Sequence, residues 1–407
     1  MMVIYKISSD RVTRFSGPLF NTAKKTSPSL LSKYIAFKPG ELFDIRKVEK
    51  SVDALKKRAF IDDASSFSSL MLTDSLYQDS ACSVSVPFEI KDRSGLGFEG
   101  IAGFESDQNN KPQLQGNAHF SLLNLFHSGE SISFQYMGNK TEQLFDIAFS
   151  KPWIFNIPLQ AGGNFGMEIE KEKYGYIYGQ CKLLTEFNFS LYAGLGLQYQ
   201  ETSVTADSSG SDGTYYGLNF LFLKIPQTFS KGVLSSELTI DIGSGISKKE
   251  RNYTRSHIDF SFGSHVPVWR SQALYTKLTT AHIMTKEISL LAVEMNRVGG
   301  YKSIRGYTDN EFAFRTVFYG QLEGIHYFNT AGSIFIFLDG GIGFENEPTS
   351  WKSDYSKLFG YGIGIRIPSR IGLMTLEWAR NLQDKKNPGR IHVQFQNDLS
   401  RLTGKFL

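Results

Sequence analysis

The sequence contains no long hydrophobic run. Nowhere in its 407 residues do about 18 consecutive apolar residues occur, the length that a membrane-spanning helix requires. This excludes a helical membrane protein. The amino terminus, MMVIYKISSDRVTRFSG, also lacks the basic start, the apolar core of about 7 to 15 residues and the small-residue cleavage site of a secretory signal. We therefore expect no signal peptide within the chain as given.

The chain has little excess charge and few cysteines. Lys and Arg number 44 against 40 Asp and Glu, a net charge of +4, whereas a nucleic-acid-binding protein would cluster basic residues on one face. We expect no nucleic-acid partner. Cys82 and Cys181 lie far apart without a CxxC pattern, so the sequence predicts two unpaired cysteines and no metal site.

The first ninety or so residues predict a small α+β unit. The segment DIRKVEKSVDALKKRAF places Ile45, Val48, Val52 and Leu55 on one helical stripe, with Asp44 as the N-cap. A shorter helix is predicted around 28–34. The predicted order is strand, helix, helix, strand, strand, with the last two strands near 66–72 and 82–90.

From Gly95 onward the apolar residues alternate with polar ones. In HIDFSFG, for example, Ile258, Phe260 and Phe262 share one face of a strand. About sixteen such segments follow one another, most of them near the ~9 to 11 residues that a tilted membrane strand needs. They begin near Leu96, Gln113, Ser131, Leu144, Leu159, Tyr174, Phe189, Tyr215, Val233, Tyr253, Gln272, Thr316, Ser333, Leu358, Gly372 and Arg390.

This alternation predicts an all-β transmembrane barrel of about 16 antiparallel strands. An even number lets the first and last strands meet antiparallel, and closure matters because an open edge cannot satisfy its backbone groups in lipid. A soluble β-sandwich or soluble barrel would alternate as well. The strand count, the unbroken succession of hairpins and the charged residues on the polar faces favour the membrane barrel.

Four phrases in the last third of the chain resemble a known family. VGGYKSIRGY, IFIFLDGGIGF, FGYGIGIRIPSRIGLMTLEWA and GRIHVQFQNDL occur in the order and spacing of the bacterial surface antigen barrel, the outer-membrane assembly-factor superfamily of the BamA and TamA type. The resemblance implies a POTRA-like periplasmic domain at 1–92 and a sixteen-stranded outer-membrane barrel at 93–407. It also implies that the barrel inserts client polypeptides into the outer membrane or translocates them.

The resemblance implies a lumen loop as well. In the family, the long loop before the twelfth strand folds back into the lumen, and its arginine contacts acidic groups of the inner wall. Arg305 matches that arginine, with Gly306 and Tyr307 beside it, in a loop from about 285 to 312. The strand parities independently point a set of wall residues inward, namely Asp339, Glu323, Glu377 and Arg366, with Gly341, Gly362 and Gly364 leaving space for the loop.

No enzyme motif is present. The sequence has no GxSxG elbow, no HExxH and no P-loop, so we predict no catalytic residue and no cofactor. The isolated histidines, which are predicted to be lumen or loop residues, are His257, His265, His326 and His392.

The expected partners are unfolded outer-membrane or secreted polypeptides, the lipid bilayer, and accessory periplasmic or lipoprotein subunits. Three alternatives stay open at this point. The first is a two-partner secretion pore of the same superfamily, which would export one dedicated substrate. The second is a barrel enzyme such as a lipase or protease. The third is a mitochondrial or plastid assembly barrel, although the closing motifs resemble the bacterial family more closely.

Overall fold

The computed structural model shows two compact units. One consists of Met1–Leu96 with Leu122–Ser131, and the other of Gly97–Ser121 with Ile132–Leu407. The residues described are 12–22, 26–58, 60–66, 71–73, 81–93, 95–106, 112–138, 142–187, 191–205, 212–229, 234–249, 251–287, 290–329, 332–346, 354–369, 372–383 and 389–396.

The first unit is a small α+β fold. Its elements are β1 (Val12–Thr22), α1 (Pro28–Leu31), α2 (Ile45–Lys56), β2 (Ile61–Ser66), β3 (Met71–Thr73) and β4 (Ala81–Asp92). β4 lies at the centre of a mixed sheet, parallel to β1 on one side and antiparallel to β2 and β3 on the other. Of the predicted strand near 66–72, Ser66 is the last residue of β2 and Met71 the first of β3, and 67–70 lie outside the described residues.

Helix α2 begins where the sequence predicts. The side chain of Asp44 accepts a hydrogen bond from the backbone N–H of Arg46 at 3.0 Å and caps the helix. The predicted apolar stripe is wrong at its first position, since Ile45 is 54% exposed. Ser51 is buried instead, because its hydroxyl accepts the backbone N–H of Ala36 at 2.9 Å and ties the preceding segment to the helix.

The second unit is a sixteen-stranded antiparallel β-barrel. Its strands are β5 (Leu96–Ser106), β6 (Pro112–Leu123), β7 (Ser131–Gly138), β8 (Glu142–Lys151), β9 (Leu159–Glu170), β10 (Tyr174–Phe187), β11 (Leu191–Val204), β12 (Gly213–Phe229), β13 (Leu234–Lys248), β14 (Asn252–Trp269), β15 (Gln272–Thr285), β18 (Thr316–Tyr327), β19 (Ser333–Phe344), β20 (Ser356–Ser369), β21 (Gly372–Asn381) and β22 (Arg390–Gln396). Two short strands, β16 (Asn296–Val298) and β17 (Phe312–Phe314), form a separate hairpin between β15 and β18.

The predicted strand order is confirmed. Each predicted start lies within two residues of an observed one, and each strand pairs with its neighbour along the chain. The last strand, β22, pairs with the first, β5. Several strands are longer than predicted, up to the 18 residues of β14, because hairpin hydrogen bonding can continue beyond the hydrocarbon layer. No helix among the described residues is long and apolar enough to cross a membrane.

The two faces of the barrel wall differ as the alternation predicts. Along β19, Ile336 is 66% exposed whereas the next residue, Phe337, is 2% exposed. The outward residues of β19 are apolar, in keeping with a surface that faces lipid. Its inward residues include aromatic rings and a buried carboxylate, Asp339. The inner wall is therefore partly a packed core.

Candidate functional site: a loop held against the inner wall

The segment between β15 and β18 forms a long loop that contains the β16–β17 hairpin. Its VGGYKSIRGY portion has left-handed backbone angles at Gly299, Gly300 and Gly306, with φ of +122°, +84° and +93°. At Gly306 a methyl group would also lie 2.6 Å from the carbonyl carbon of Arg380. Glycine is needed there both for its backbone angle and for the close approach to the wall.

Arg305 lies at the centre of the site. Its Nε donates to Asp339 Oδ2 at 2.7 Å and its Nη2 donates to Asp339 Oδ1 at 2.8 Å. The backbone N–H of Arg305 donates to the same carboxylate at 2.9 Å. Its Nη1 donates to Glu323 Oε1 at 2.6 Å. One acid thus binds the guanidinium through two bonds and a second acid binds it through one, and such charge-assisted hydrogen bonds are about twice as strong as neutral ones.

A second arginine completes the charge network. Arg366 Nη2 donates to the other oxygen of Glu323 at 2.8 Å, so Glu323 bridges the two guanidinium groups. Glu377 lies farther away, with its Oε1 3.8 Å from Arg305 Nη1. The structure therefore brings together all four wall residues named from the strand parities, but in unequal roles: Asp339 and Glu323 bond Arg305, and Glu377 is a longer-range neighbour.

The site excludes most water. The side chain of Arg305 is 4% exposed and that of Asp339 is fully buried. Burial alone would lower the pKa of the Arg305 guanidinium, but its hydrogen bonds to Asp339 and the charges of Glu323 and Glu377 raise that pKa above its usual value. Arg305 is therefore charged at any pH that the membrane tolerates.

Two aromatic rings support the guanidinium groups, a feature that the sequence reasoning missed. Arg305 lies over the ring of Phe337 at 3.6 Å, and Arg366 lies over Phe335 at 3.9 Å. A cation over an aromatic face is attracted by the negative charge of the ring face. Both rings follow from the same inward parity as Asp339, so a search for aromatics at i−2 and i−4 of that aspartate would have found them.

The glycines of the inner wall have two different uses. At Gly341 a methyl group would lie 2.8 Å from Ile304 of the loop, so this glycine admits the loop. At Gly362 a methyl group would instead collide with the backbone carbonyl of Trp378 and with the ring of Phe337, and at Gly364 with the ring of Phe335. These two glycines therefore make room for other residues of the wall. The closest loop contact is at Gly360, where a methyl group would overlap the carbonyl oxygen of Arg305.

Tyr307 fastens the other side of the loop. Its hydroxyl accepts the backbone N–H of Phe359 at 3.0 Å and donates to Gln383 Oε1 at 3.1 Å. The carbonyl of Gly306 accepts a bond from Asn381 Nδ2 at 2.8 Å. Phe359 lies on β20 and Asn381 on β21, whereas Asp339, the partner of Arg305, lies on β19. The Arg-Gly-Tyr triplet therefore contacts β20 and the strands on both sides of it.

A further ionic cluster fixes the start of the loop. Glu287 accepts from Arg255 Nη2 at 2.7 Å and from the hydroxyl of Ser247 at 3.0 Å. Glu294 accepts from Lys249 Nζ at 2.7 Å. Burial would raise the pKa of Glu287, but Arg255 and Lys249 hold it below its usual value. No sequence pattern indicated this cluster, because Glu287 and Glu294 lie on the loop and only the tertiary structure brings the loop to the β13–β14 hairpin.

The four histidines do not share one environment. His257 lies 3.3 Å from Asn219 and His265 lies 3.2 Å from the Tyr327 hydroxyl, on the inner face, and His392 is half-buried. The prediction is wrong for His326, which is exposed on the outward face of β18 because it shares the parity of Leu322. Cys181 is a free cysteine, and the side chain of Cys82 lies outside the described residues.

Because Glu323 bonds Arg305 and Glu377 lies farther from it, we expect their replacement to change the free energy of unfolding by different amounts. Replacing Glu323 by glutamine removes the charge that bridges Arg305 and Arg366, and we expect a loss of about 1.5–3 kcal/mol in the free energy of unfolding. The matched change Glu377→Gln should cost much less, since Glu377 approaches Arg305 only to 3.8 Å. Urea unfolding in detergent micelles, followed by tryptophan fluorescence, measures both. Equal losses in the two variants would contradict this assignment.

These features define a class of protein. A sixteen-stranded antiparallel barrel with an apolar outer face, and with an arginine-bearing loop bound to its inner wall, is a transmembrane barrel of the outer-membrane type. Residues 124–400 match the Omp85 superfamily domain. The chain therefore belongs to the Omp85 superfamily, whose barrels lie in the outer membrane and insert or translocate polypeptides.

Solved structures show the same fold. BamA from Haemophilus ducreyi, in a form that lacks POTRA domains 1–3, is 14% identical with a TM-score of 0.58, and the match covers 96% of this chain and 85% of that one. CdiB from Acinetobacter baumannii is 14% identical with a TM-score of 0.64, covering 95% and 74%. CdiB from Escherichia coli is 12% identical with a TM-score of 0.63, covering 95% and 77%. No curated protein is detectably similar in sequence.

Proposed function

We propose that the protein inserts client polypeptides into a bacterial outer membrane, and that it works at the seam between β5 and β22. The short seam is the observation that carries this proposal. In the described residues β22 pairs with β5 over six residue pairs, 391–396 with 99–104, whereas β13 and β14 pair over fourteen. With fewer main-chain hydrogen bonds among the described residues, the seam costs less to separate than the β13–β14 pair.

The composition of β5 supports the same location. Its sequence, LGFEGIAGFES, contains three glycines, and glycine weakens a strand interior because it has no side chain to pack. A client strand could pair with the exposed edge of either seam strand and gain main-chain hydrogen bonds with little demand on its sequence. Meanwhile the bonds of Arg305 would keep the wall at β18 and β19 rigid.

The N-terminal residues 1–92 would act as a POTRA-like domain in the periplasm, with residues 93–407 as the barrel. In the sheet of this unit, β2 forms an edge next to β4. The other edge strand, β1, is partly covered, because Phe15 and Thr13 exchange backbone hydrogen bonds with the 40–43 segment. The β2 edge is thus the better place for an extended client segment, and accessory subunits would bind elsewhere on this unit.

Depletion of the protein in its own bacterium tests the proposal. We expect the amount of folded outer-membrane barrels to fall, measured by heat-modifiable gel mobility, while their unfolded precursors accumulate. Re-expression of the wild-type chain is the control. If every barrel stays at its normal level and one secreted polypeptide disappears from the medium, the protein is a two-partner secretion pore instead.

A locked seam tests where the insertion takes place. In a chain with Cys82 and Cys181 changed to serine, His392→Cys and Gly103→Cys occupy directly opposed positions of the seam, within disulfide reach. We expect oxidation to stop barrel assembly and reduction to restore it. The matched control is Ser244→Cys with Ser256→Cys, an opposed pair of β13 and β14. If both oxidised proteins assemble client barrels equally well, insertion does not take place at the seam.

A further inference from the structure

A second arginine of the loop, Arg297 in β16, is bound to a different part of the wall. Its Nη2 donates to Glu168 Oε2 at 2.5 Å, and its Nη1 donates to the other oxygen of Glu168. Nη1 also lies 3.2 Å from Glu142 Oε1. The Tyr174 hydroxyl donates to Glu168 at 2.8 Å. Arg297 thus makes a bidentate contact with Glu168 through its two Nη atoms, as Arg305 does with Asp339 through Nε and Nη2.

The two arginines bind opposite sides of the barrel. Glu142 and Glu168 lie on β8 and β9, the fourth and fifth of the sixteen barrel strands. Glu323 and Asp339 lie on β18 and β19, the twelfth and thirteenth. These positions are eight strands apart, which is half of the circumference. Since Arg297 and Arg305 belong to one loop, that loop crosses the lumen from wall to wall.

Apolar contacts accompany the Arg297 contact. Val293, which precedes it in the loop, packs in a buried cluster with Tyr174 and Tyr176 of β10. The side chain of Glu168 is only 1% exposed, and a buried carboxylate is costly unless a cation pairs with it. The wall at β8–β10 is therefore built to receive this part of the loop.

The Arg297 contact is the wetter of the two. The side chain of Arg297 is 17% exposed and that of Glu142 is 23% exposed, against 4% for Arg305. A polar cavity of about 350 Å³ lies beside it, lined by Asp146, Lys302 and Asp309 among others. Water that reaches the guanidinium and its partners can replace their mutual bonds, so this contact costs less to break than the one at Arg305.

We propose that Arg297 is a second positioning residue, which anchors the loop to the wall opposite Arg305, and that the lumen opens when this anchor releases while Arg305 stays bound. The loop, held to both walls, then obstructs the lumen. It keeps the lumen closed to ions and polypeptide during work at the seam, whatever client the barrel handles. On opening, the part of the loop at Arg305 stays bound to the wall and the part at Arg297 moves.

Ion conductance through the barrel reports directly whether the loop closes the lumen. In planar lipid bilayers that contain the purified full chain, Arg297→Met should raise the open probability at least about tenfold over wild type. Glu168→Gln, which keeps the shape of the wall residue and removes its charge, should do the same. Lys286→Met is the matched control, because it removes a positive charge from an exposed position of the same loop outside this cavity, and it should leave conductance unchanged. Heat-modifiable mobility identifies the variants whose barrels are folded.

A crosslink tests which end moves. In a chain with Cys82 and Cys181 changed to serine, a bis-maleimide should join Arg297→Cys to Glu168→Cys, since these two long side chains meet end to end. We expect the double variant to be open before the reagent is added and closed after it. If folded Arg297→Met and Glu168→Gln conduct like the wild type, the Arg297 contact does not keep the lumen closed. If the crosslinked protein still opens, release of the contact between Arg297 and Glu168 is not what opens the lumen.

Discussion

Replacing Arg305 by methionine is expected to destabilise the barrel by about 3–5 kcal/mol and to release the tip of the loop. The reason is that Asp339, which is 1% exposed, would lose the cation that binds both of its oxygens, while Glu323 would keep only Arg366. Removing one partner of a buried ion pair costs about that much. Urea unfolding in micelles gives the stability. Trypsin cleavage at Lys302, followed by mass spectrometry, reports whether the loop tip has left the wall.

The control for this variant is a charge change that leaves the network intact. Lys302→Met lies three residues away in the same loop and is exposed, so its free energy of unfolding should stay near that of wild type. A second control is the double change Arg305→Met with Asp339→Leu, which removes the uncompensated aspartate and should recover part of the loss. Wild-type stability and wild-type trypsin resistance in Arg305→Met would remove the role assigned to these bonds.

Gly360→Ala is expected to displace the loop without changing any charge. The added methyl group would overlap the carbonyl oxygen of Arg305. Because β20 is hydrogen-bonded on both sides and cannot yield, the loop must move. Overpacking of this kind typically costs about 1–3 kcal/mol, and the bonds of Arg305 would be lost with it. We therefore expect the same trypsin cleavage at Lys302 as in Arg305→Met.

Gly340→Ala provides the matched comparison. Gly340 lies on the neighbouring strand with outward parity, and the heavy atom nearest to its added methyl group would be Phe359 Cδ2 at 3.7 Å, an ordinary contact. This variant should keep the loop protected from trypsin. If Gly340→Ala and Gly360→Ala behave alike, the loop does not depend on the close approach at Gly360.

Much of the fold follows from the sequence because the side-chain period of a strand is local. Two consecutive residues of a strand point to opposite faces, so alternation locates each strand and says which residues face inward. This is why the predicted strand starts agree with those observed, and why Asp339, Glu323 and Arg366 could be placed on one wall. Arg305 was identified differently, through the resemblance of VGGYKSIRGY to the lumen loop of the family.

Alternation does not say which inward residues meet. Three acids face the lumen near Arg305, and only the tertiary structure shows that Asp339 and Glu323 bond it while Glu377 stays at 3.8 Å. The height of each residue along the barrel depends on the register between strands. Register and loop path also decide that Gly360, rather than Gly362 or Gly364, meets the backbone of the loop.

The contact between Arg297 and Glu168 shows the same limit most clearly. The two residues are 129 positions apart in the chain, on a loop and on a strand from the other side of the barrel. The sequence by itself determined that a barrel forms, which faces its strands present and where its arginine loop lies. Only the tertiary structure decided where that loop is fixed, because such contacts depend on closing the sheet and bringing opposite walls within reach of one segment.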